Sequence, residues 1–314
     1  MKTNQDQTYF EFAPPRIEMN PDGVSIKGCK YIYAPGSLAF EYSALACSPY
    51  SGCGFCCFYC YNPHILHMDR RRFDASAVLR SGFFDGLLRD AKKYQLIADK
   101  LTAAHAQVLL TFASDPYHPG DTEPTRKTLE ILIEHGLAFC TLSKGGQRAL
   151  RDLDLFRPDR DSYACTLLSL DAELTRKWEH RAAPPEDRIA TLKAFHDAGI
   201  FTWISLEPVI SLGHALDVVR ETHSFVDLYK IGPLHYFPPL EPIDWRDGVL
   251  RLIDLFTRFG CKSYFKRDLQ RFLPPGYPNP LRVPQCRDPA PADAADAGSA
   301  ASGAAGEAAT QTKH

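Results

Sequence analysis

The chain has 314 residues, 45% of them hydrophobic, with a formal net charge of −2. That length supports one large α/β domain with short appendages, and a charge so near zero excludes a wholesale polyanion-binding surface, though not a local basic patch. No run approaches the roughly eighteen apolar residues a membrane span needs, and the polar start from Met1 to Tyr9 has no apolar signal core; the expectation is a cytoplasmic protein without a membrane partner.

Residues 1–37, broken by Pro14, Pro15, Pro21 and Pro35, read as an irregular N-terminal extension. Residues 38–47 read as a first buried strand that runs into a cysteine-rich loop, and residues 83–104 as a helix. A strand at 108–114 precedes an amphipathic helix at 123–135, with Gly136 placed as its C-cap glycine. A strand at 138–144, a short helix at 148–156 and a strand at 163–170 follow. The helix at 184–198 opens on Pro-Pro-Glu-Asp and stops at Gly199, matching both end signals. Next come a strand at 201–210, a helix at 214–223, a strand at 226–231, a helix at 245–259 ending at Gly260, and a last strand at 262–266.

This alternation predicts an α/β fold of six or seven parallel βα units. A partial or full barrel would place the site at the C-terminal ends of the strands. An open doubly wound sheet is the alternative, which periodicity does not separate. The expected organisation is an extension over 1–37, a barrel over 38–275 and a C-terminal extension over 276–314. From residue 291 the composition is almost entirely small and polar, which predicts disorder because so little apolar surface is available to offset chain entropy.

Four of the ten cysteines crowd into residues 53–60, with Cys47 just before them. A disulfide framework is out of place in a long chain read as intracellular, so metal comes first. Cys53-x3-Cys57-x2-Cys60 supplies three thiolates from one loop, soft ligands that suit an iron–sulfur cluster or zinc. Three cysteines on a four-iron cubane leave one iron open to chelate a small molecule, whereas electron-transfer clusters use four. Structural zinc, with Cys56, Cys47, His64 or His67 as a fourth ligand, is the competing reading. Zinc sites tend to come as two close pairs, and no second C-x2-C pair follows here. Cys56 reads as a bystander thiol, and the scattered Cys140, Cys165, Cys261 and Cys286 offer no second cluster.

In order from Ala46 to Leu234 the chain carries SPYSGCGFCCFYCYNP, LLTFASDPYHP, TRKTLEIL, LSKGG, RDLDLF, SLD with WEHRAAPPEDRI, and AGI. This series resembles the radical S-adenosylmethionine (SAM) enzymes, in particular the spore photoproduct lyase-like group, often labelled DNA-repair photolyases. The resemblance implies a partial (β/α)6 TIM-like barrel with a [4Fe–4S] cluster on Cys53, Cys57 and Cys60. It further implies S-adenosyl-L-methionine on the open iron, cleaved reductively to methionine and a 5′-deoxyadenosyl radical that takes hydrogen from a substrate. The cofactor carries the hard chemistry while the protein positions it. A low-potential electron donor such as flavodoxin or ferredoxin is implied as partner.

Carried over by position, Tyr59 lies near the adenine, and Ser114, Asp115, Lys144 and Ser169, at the ends of successive strands, contact the cofactor. Tyr59 and Tyr61 flank Cys60, where matching tyrosines in the lyase are implicated in hydrogen-atom relay. Glu207 ends the fifth strand and faces cofactor ribose or substrate; Lys230, His180 and Arg181 are further candidates near the mouth. One departure matters: the lyase has a hydrogen-donating cysteine two positions before the Ser-Asp pair, and Phe112 stands there in this chain. Phenylalanine cannot donate hydrogen in that way, so the expectation is a relative with another substrate, thymine-dimer repair being the alternative. Cys140 and Cys165 are conceivable substitutes. Arg70, Arg71 and Arg72, and Lys262, Lys266, Arg267 and Arg271 interleaved with Tyr264, Phe265 and Phe272, leave a nucleic-acid substrate open.

Overall fold

The computed structural model describes residues 17–281 and 285–287; residues 1–16 and the tail expected to be disordered lie outside them. Nine strands form among the described residues: β1 (Leu45–Cys47), β2 (Tyr50–Ser51), β3 (Val78–Leu79), β4 (Val108–Leu110), β5 (Phe139–Ser143), β6 (Ser162–Thr166), β7 (Phe201–Val209), β8 (Leu228–Pro233) and β9 (Lys262–Phe265). Seven make one all-parallel sheet in the order β1-β4-β5-β6-β7-β8-β9, and β2 and β3 form a separate antiparallel ribbon. Apart from that ribbon, each strand pairs with the next in the chain. A doubly wound sheet would reverse its order at a switch point; this one never does. The sheet therefore curls one way, and because β1 and β9 share no pairing among the described residues, it is a partial barrel.

Both faces of the sheet are buried, which explains why its strands read as nearly unbroken apolar runs. On the outer face, Leu45, Val108, Phe139, Tyr163, Ile204, Tyr229 and Phe265 pack against helix residues such as Leu87, Leu129, Phe195, Val219 and Phe256. On the inner face, Leu109, Cys140, Ala164, Phe201, Trp203 and Leu228 gather around Tyr42. The register puts Leu109 beside Cys140 and Trp203 between Ala164 and Leu228, so period-2 alternation sorts the two cores.

Several boundaries differ from expectation for local reasons. The segment 38–47 is not one strand: a 3₁₀ turn spans Ser37–Glu41 before β1 begins. Its end is pinned across the barrel opening, because the Glu41 carboxylate accepts from the Tyr264 hydroxyl (2.8 Å) and the Arg267 amide (2.7 Å). The expected helix at 83–104 is two, Phe83–Gln95 and Ala98–Ala103, and the short helix expected at 148–156 is a 3₁₀ segment, Gly146–Leu155. A helix at Ala172–Trp178 went unread; Asp171 caps it through the amides of Glu173 (2.8 Å) and Leu174 (3.0 Å). The helix Trp245–Phe259 ends as expected at Gly260, whose φ of 67° is left-handed. No helix among the described residues is long and apolar enough to cross a membrane.

Residues 17–36 join the outer core through Val24, Ile26 and Ile32. One carboxylate holds them: Asp90 Oδ2 accepts from the amides of Lys30 (2.9 Å), Tyr31 (2.6 Å) and Ile32 (3.1 Å). Asp90→Ala strands three amides in a largely buried place, at a cost of roughly 1–3 kcal/mol. The expected outcome is faster limited proteolysis between residues 17 and 36 with the remainder of the domain still resistant; an unchanged cleavage pattern refutes this anchoring role.

Candidate active site

The cysteine loop lies beyond the C-terminal end of β1 and is tied down on every side. Gly52 has a φ of +80°, and a Cβ there would fall 2.3 Å from the Ser76 carbonyl oxygen, so only glycine lets the loop pass. The Cys53 amide donates to Phe73 O (3.0 Å), the Phe58 amide to Trp178 O (2.7 Å), and the Arg181 amide to Phe55 O (3.0 Å). Cys57 forms an isolated antiparallel bridge with Glu179. Arg70 Nη2 donates to Cys57 O (2.6 Å), and Ser114 Oγ to Gly52 O (2.5 Å).

Cys53, Cys57 and Cys60 share one electrostatic environment. Burial raises the pKa of all three thiols; the charges of Cys57 and Cys60 push Cys53 further up and that of Cys60 pushes Cys57, while Lys144 and Arg70 pull Cys60 the other way. Three thiolates together are unfavourable without a cation, so this donor set suits a cationic metal centre. Among the described residues no three His, Cys, Asp or Glu side chains converge as a single metal ion requires. Cys56 turns aside, its Sγ directed at Gly54 O (3.6 Å) and Asp74 O (3.5 Å), and Cys47 is fully buried in the outer core. In the chemistry of their donor atoms, the expected cluster ligands fit the group.

Lys144 ends β5 beside the loop. Burial works against its charge, but the charges of Cys57, Glu179 and Asp115 outweigh burial and hold the ammonium above its ordinary pKa. Its Nζ lies 5.9 Å from the Tyr59 ring centroid. Asp115, expected at the cofactor, is spent on the scaffold: Oδ1 accepts from Ser143 Oγ (2.6 Å) and the Tyr117 amide (2.9 Å), and Oδ2 from the Lys144 amide (2.8 Å). Burial keeps its carboxyl pKa raised even so. Ser169 contacts His214 Nδ1 (3.0 Å) and accepts from the Asp171 amide (2.9 Å).

Behind the loop lies a fully buried ion pair that sequence reading missed. Arg188 Nη1 sits 2.6 Å from Glu179 Oε2, both side chains 0% exposed. Arg188 also donates to Ala183 O (2.7 Å) and Thr166 O (2.9 Å), and the Tyr59 hydroxyl donates to Glu179. The segment WEHRAAPPEDRI contained both residues, yet the exposed His180 and Arg181 drew the attention.

Glu207 meets partners from distant elements. Lys266 Nζ reaches both of its oxygens (3.0 and 2.7 Å), and the Tyr42 hydroxyl, 2.7 Å from Ser205 Oγ, donates to it. Lys230 donates to Tyr42 O (2.6 Å) and lies 4.4 Å from the Trp203 ring. Tyr61 is 44% exposed, but its hydroxyl is desolvated, and with the charges of Glu207 and Cys60 this lifts its pKa to about 12. Gly232 makes room for the ion pair: a Cβ there would lie 2.7 Å from Glu207 Cδ and 2.9 Å from Lys266 Cδ. Gly232→Ala should therefore displace the pair at a cost of about 1–3 kcal/mol. Thermal unfolding tests this, and an unchanged midpoint counts against the cradle.

Phe112 and the two cysteines considered as substitute hydrogen donors lie in different surroundings. The Phe112 ring packs edge-on to Tyr42 at 6.1 Å, with Asn62 Nδ2 donating to its carbonyl (2.6 Å). Cys165 belongs to the outer core, whereas Cys140 belongs to the inner one. The basic stretch at 262–271 is less of a surface than it reads, since Tyr264, Phe265 and Lys266 are buried.

The model of the Radical SAM superfamily matches residues 47–226, more than half of the chain. No curated protein matches. Among solved structures, a tyrosine-to-phenylalanine variant of spore photoproduct lyase is 11% identical with a TM-score of 0.58, covering 76% of this chain and 79% of that one. A cysteine-to-alanine variant of that lyase with dinucleoside spore photoproduct is 13% identical with a TM-score of 0.56, over 76% and 80%. Streptococcus suis SuiB bound to S-adenosylmethionine is 14% identical with a TM-score of 0.50, over 70% of this chain and 49% of SuiB, so the chain spans about half of SuiB's length. At these identities the likeness is one of fold. On the match over residues 47–226, the chain belongs to the radical SAM superfamily.

Proposed function

We propose that Cys53, Cys57 and Cys60 hold a [4Fe–4S] cluster and that the protein cleaves S-adenosyl-L-methionine reductively to act on a substrate entering at the barrel mouth. The observation that carries this reading is three cysteines on one loop, strapped by backbone bonds, at the C-terminal end of an open parallel barrel. When bound, the cluster and cofactor supply a 5′-deoxyadenosyl radical that removes hydrogen from the substrate. The chain's own part is placement. Lys144 offers a fixed cation to the cofactor carboxylate. Asp115 holds the Lys144 amide, and Ser114 holds the loop at Gly52. Tyr59, anchored on Glu179, takes the adenine side. Ser169 closes the end of β6 against His214, and Glu207 and Tyr61 face the substrate.

Tyr61 and Tyr236 are 44% and 78% exposed near one another, which favours a substrate with a planar ring, a nucleobase being one such class. Phe112 argues against thymine-dimer repair by the lyase's own hydrogen donor. The test is anaerobic reconstitution with iron and sulfide counted, followed by dithionite and S-adenosylmethionine. Roughly four irons per chain and formation of 5′-deoxyadenosine support the proposal. Stoichiometric zinc with no iron uptake and no cleavage overturns it.

A further inference from the structure

The inward face of β7 changes character along its length. Phe201 and Trp203 belong to the apolar inner core, and at the next inward positions Ser205 and Glu207 both bond the Tyr42 hydroxyl. The Tyr42 ring rests against Trp203 (5.8 Å) and Phe112 (6.1 Å). The barrel interior is thus apolar below Tyr42 and charged above it. Because the sheet is all parallel, the Glu207 end of β7 lies on the same side as the end of β1 from which the cysteine loop leaves.

Charged side chains of both signs gather at this floor, and they balance. Lys230 donates to Tyr42 O (2.6 Å), and Lys266 Nζ lies 4.5 Å from the Tyr42 ring. Opposing them are Glu207 and Glu41, the residue before Tyr42. Glu41, Lys230 and Lys266 are 3%, 2% and 4% exposed, whereas the Glu207 side chain is 17% exposed. Glu207 is therefore the charged group of this set that a bound molecule can reach. Lys266 Nζ holds both of its oxygens (3.0 and 2.7 Å), and the Tyr42 hydroxyl donates to one of them. A carboxylate accepts about four hydrogen bonds, so roughly one acceptor position stays open.

Resting on the function proposed above, we infer that Glu207 selects the substrate through a neutral hydrogen-bond donor, a hydroxyl or an amide N–H, and that Lys266 and Tyr42 are the positioning residues that set this preference. The reason is charge balance in a poorly hydrated place. Lys266 already neutralises Glu207, so an ammonium group would give up its hydration to meet an ion pair of no net charge. A carboxylate would be brought against the Glu207 oxygens. A hydroxyl or amide has far less hydration to lose and satisfies the open acceptor. The preference follows the sign of the floor, so each partner's removal moves it in a defined direction. Without the Lys266 charge the floor is negative and favours a cation. With Glu207 made neutral the floor is positive and favours an anion.

The test uses the reconstituted full-length protein and small deuterated probes of similar size: ethylene glycol, neutral; ethanolamine, a cation; and glycolate, an anion. Dithionite and S-adenosylmethionine are added, and mass spectrometry reads deuterium in the 5′-deoxyadenosine. In a productive encounter the C–D bond of the probe breaks, the C5′–D bond forms, and excess dithionite discharges the probe radical. The probes differ in inherent reactivity, so the readout is the change in their ratio between wild type and variant. Lys266→Met should move that ratio about tenfold towards ethanolamine, and Glu207→Gln about tenfold towards glycolate. Saturation-transfer NMR ranks the same probes by binding alone, and the wild type should place ethylene glycol first. Ratios unchanged in both variants, or ethanolamine or glycolate ranked first by the wild type, overturn the inference. If Lys266→Met does not fold, Glu207→Gln is compared with the Lys266→Met/Glu207→Gln double variant, whose floor is again balanced and should return to ethylene glycol. If the wild type forms no 5′-deoxyadenosine at all, the functional reading falls instead, and the NMR ranking of wild type and variants still decides the inference.

Discussion

Cys57→Ala protein, purified and reconstituted without oxygen, is expected to lose its iron–sulfur cluster and to form 5′-deoxyadenosine only at background level. The loss should exceed the roughly 10–100-fold that follows when a metal ligand merely loses its supporting contacts, because here a ligand itself is gone. The fold should survive. What fastens this residue is backbone: its bridge to Glu179 and the Arg70 bond to its carbonyl (2.6 Å) both remain with alanine in place. Cys56→Ala is the matched control. Its thiol is directed at Gly54 O and Asp74 O, away from the three-thiol set, so that variant should retain iron and cleavage. Iron retained by Cys57→Ala, or lost only by Cys56→Ala, would show the ligand assignment to be wrong.

Arg188→Met is expected to be the most destabilising single change outside the cysteine loop. It removes one partner of an ion pair whose side chains are both 0% exposed and leaves Glu179 as an uncompensated charge. Breaking such a pair costs about 3–5 kcal/mol. For a domain of this size each kcal/mol lowers the unfolding midpoint by roughly 2–4 °C, so a fall of about 10 °C should be seen by calorimetry. Adding Glu179→Gln removes the stranded charge and should recover a substantial part of the loss. The loop should loosen as well, because Glu179 holds the Tyr59 hydroxyl and bridges Cys57. A midpoint within about 2 °C of the wild type in the single variant would show that the pair contributes little.

The two experiments probe different ranges of interaction. The three thiols sit within eight residues, so their chemistry is a property of one loop. Glu179 and Arg188 come from a turn and from the helix Pro185–Asp197, and their importance comes from burial, which no residue carries in its name. Sequence reading picked Asp115 and Ser114 as direct cofactor contacts because they end a strand on the correct side. In the fold their polar atoms bond Ser143, the Lys144 amide and Gly52, so they also hold other residues in place.

From the sequence by itself came the parallel βα rhythm, the C-terminal stops at Gly136, Gly199 and Gly260, and the three-cysteine spacing. Each is a local matter: a cap is settled within one turn of helix, and a ligand spacing within one loop. Periodicity left the partial barrel and the doubly wound sheet open; the resemblance implied the barrel, and the strand order from β1 to β9 bears it out, because the choice depends on which strands pair. The tertiary structure alone showed that Lys266 faces inward and that Tyr42, Glu207 and Lys266 meet at one point. Tyr42 and Glu207 lie 165 positions apart in the chain, and Glu207 and Lys266 lie 59 apart. It also separated Phe58, left in solvent, from Tyr59, turned inward onto Glu179. Neighbours in sequence point to opposite sides of a loop, and only the packing around that loop decides which side is solvent.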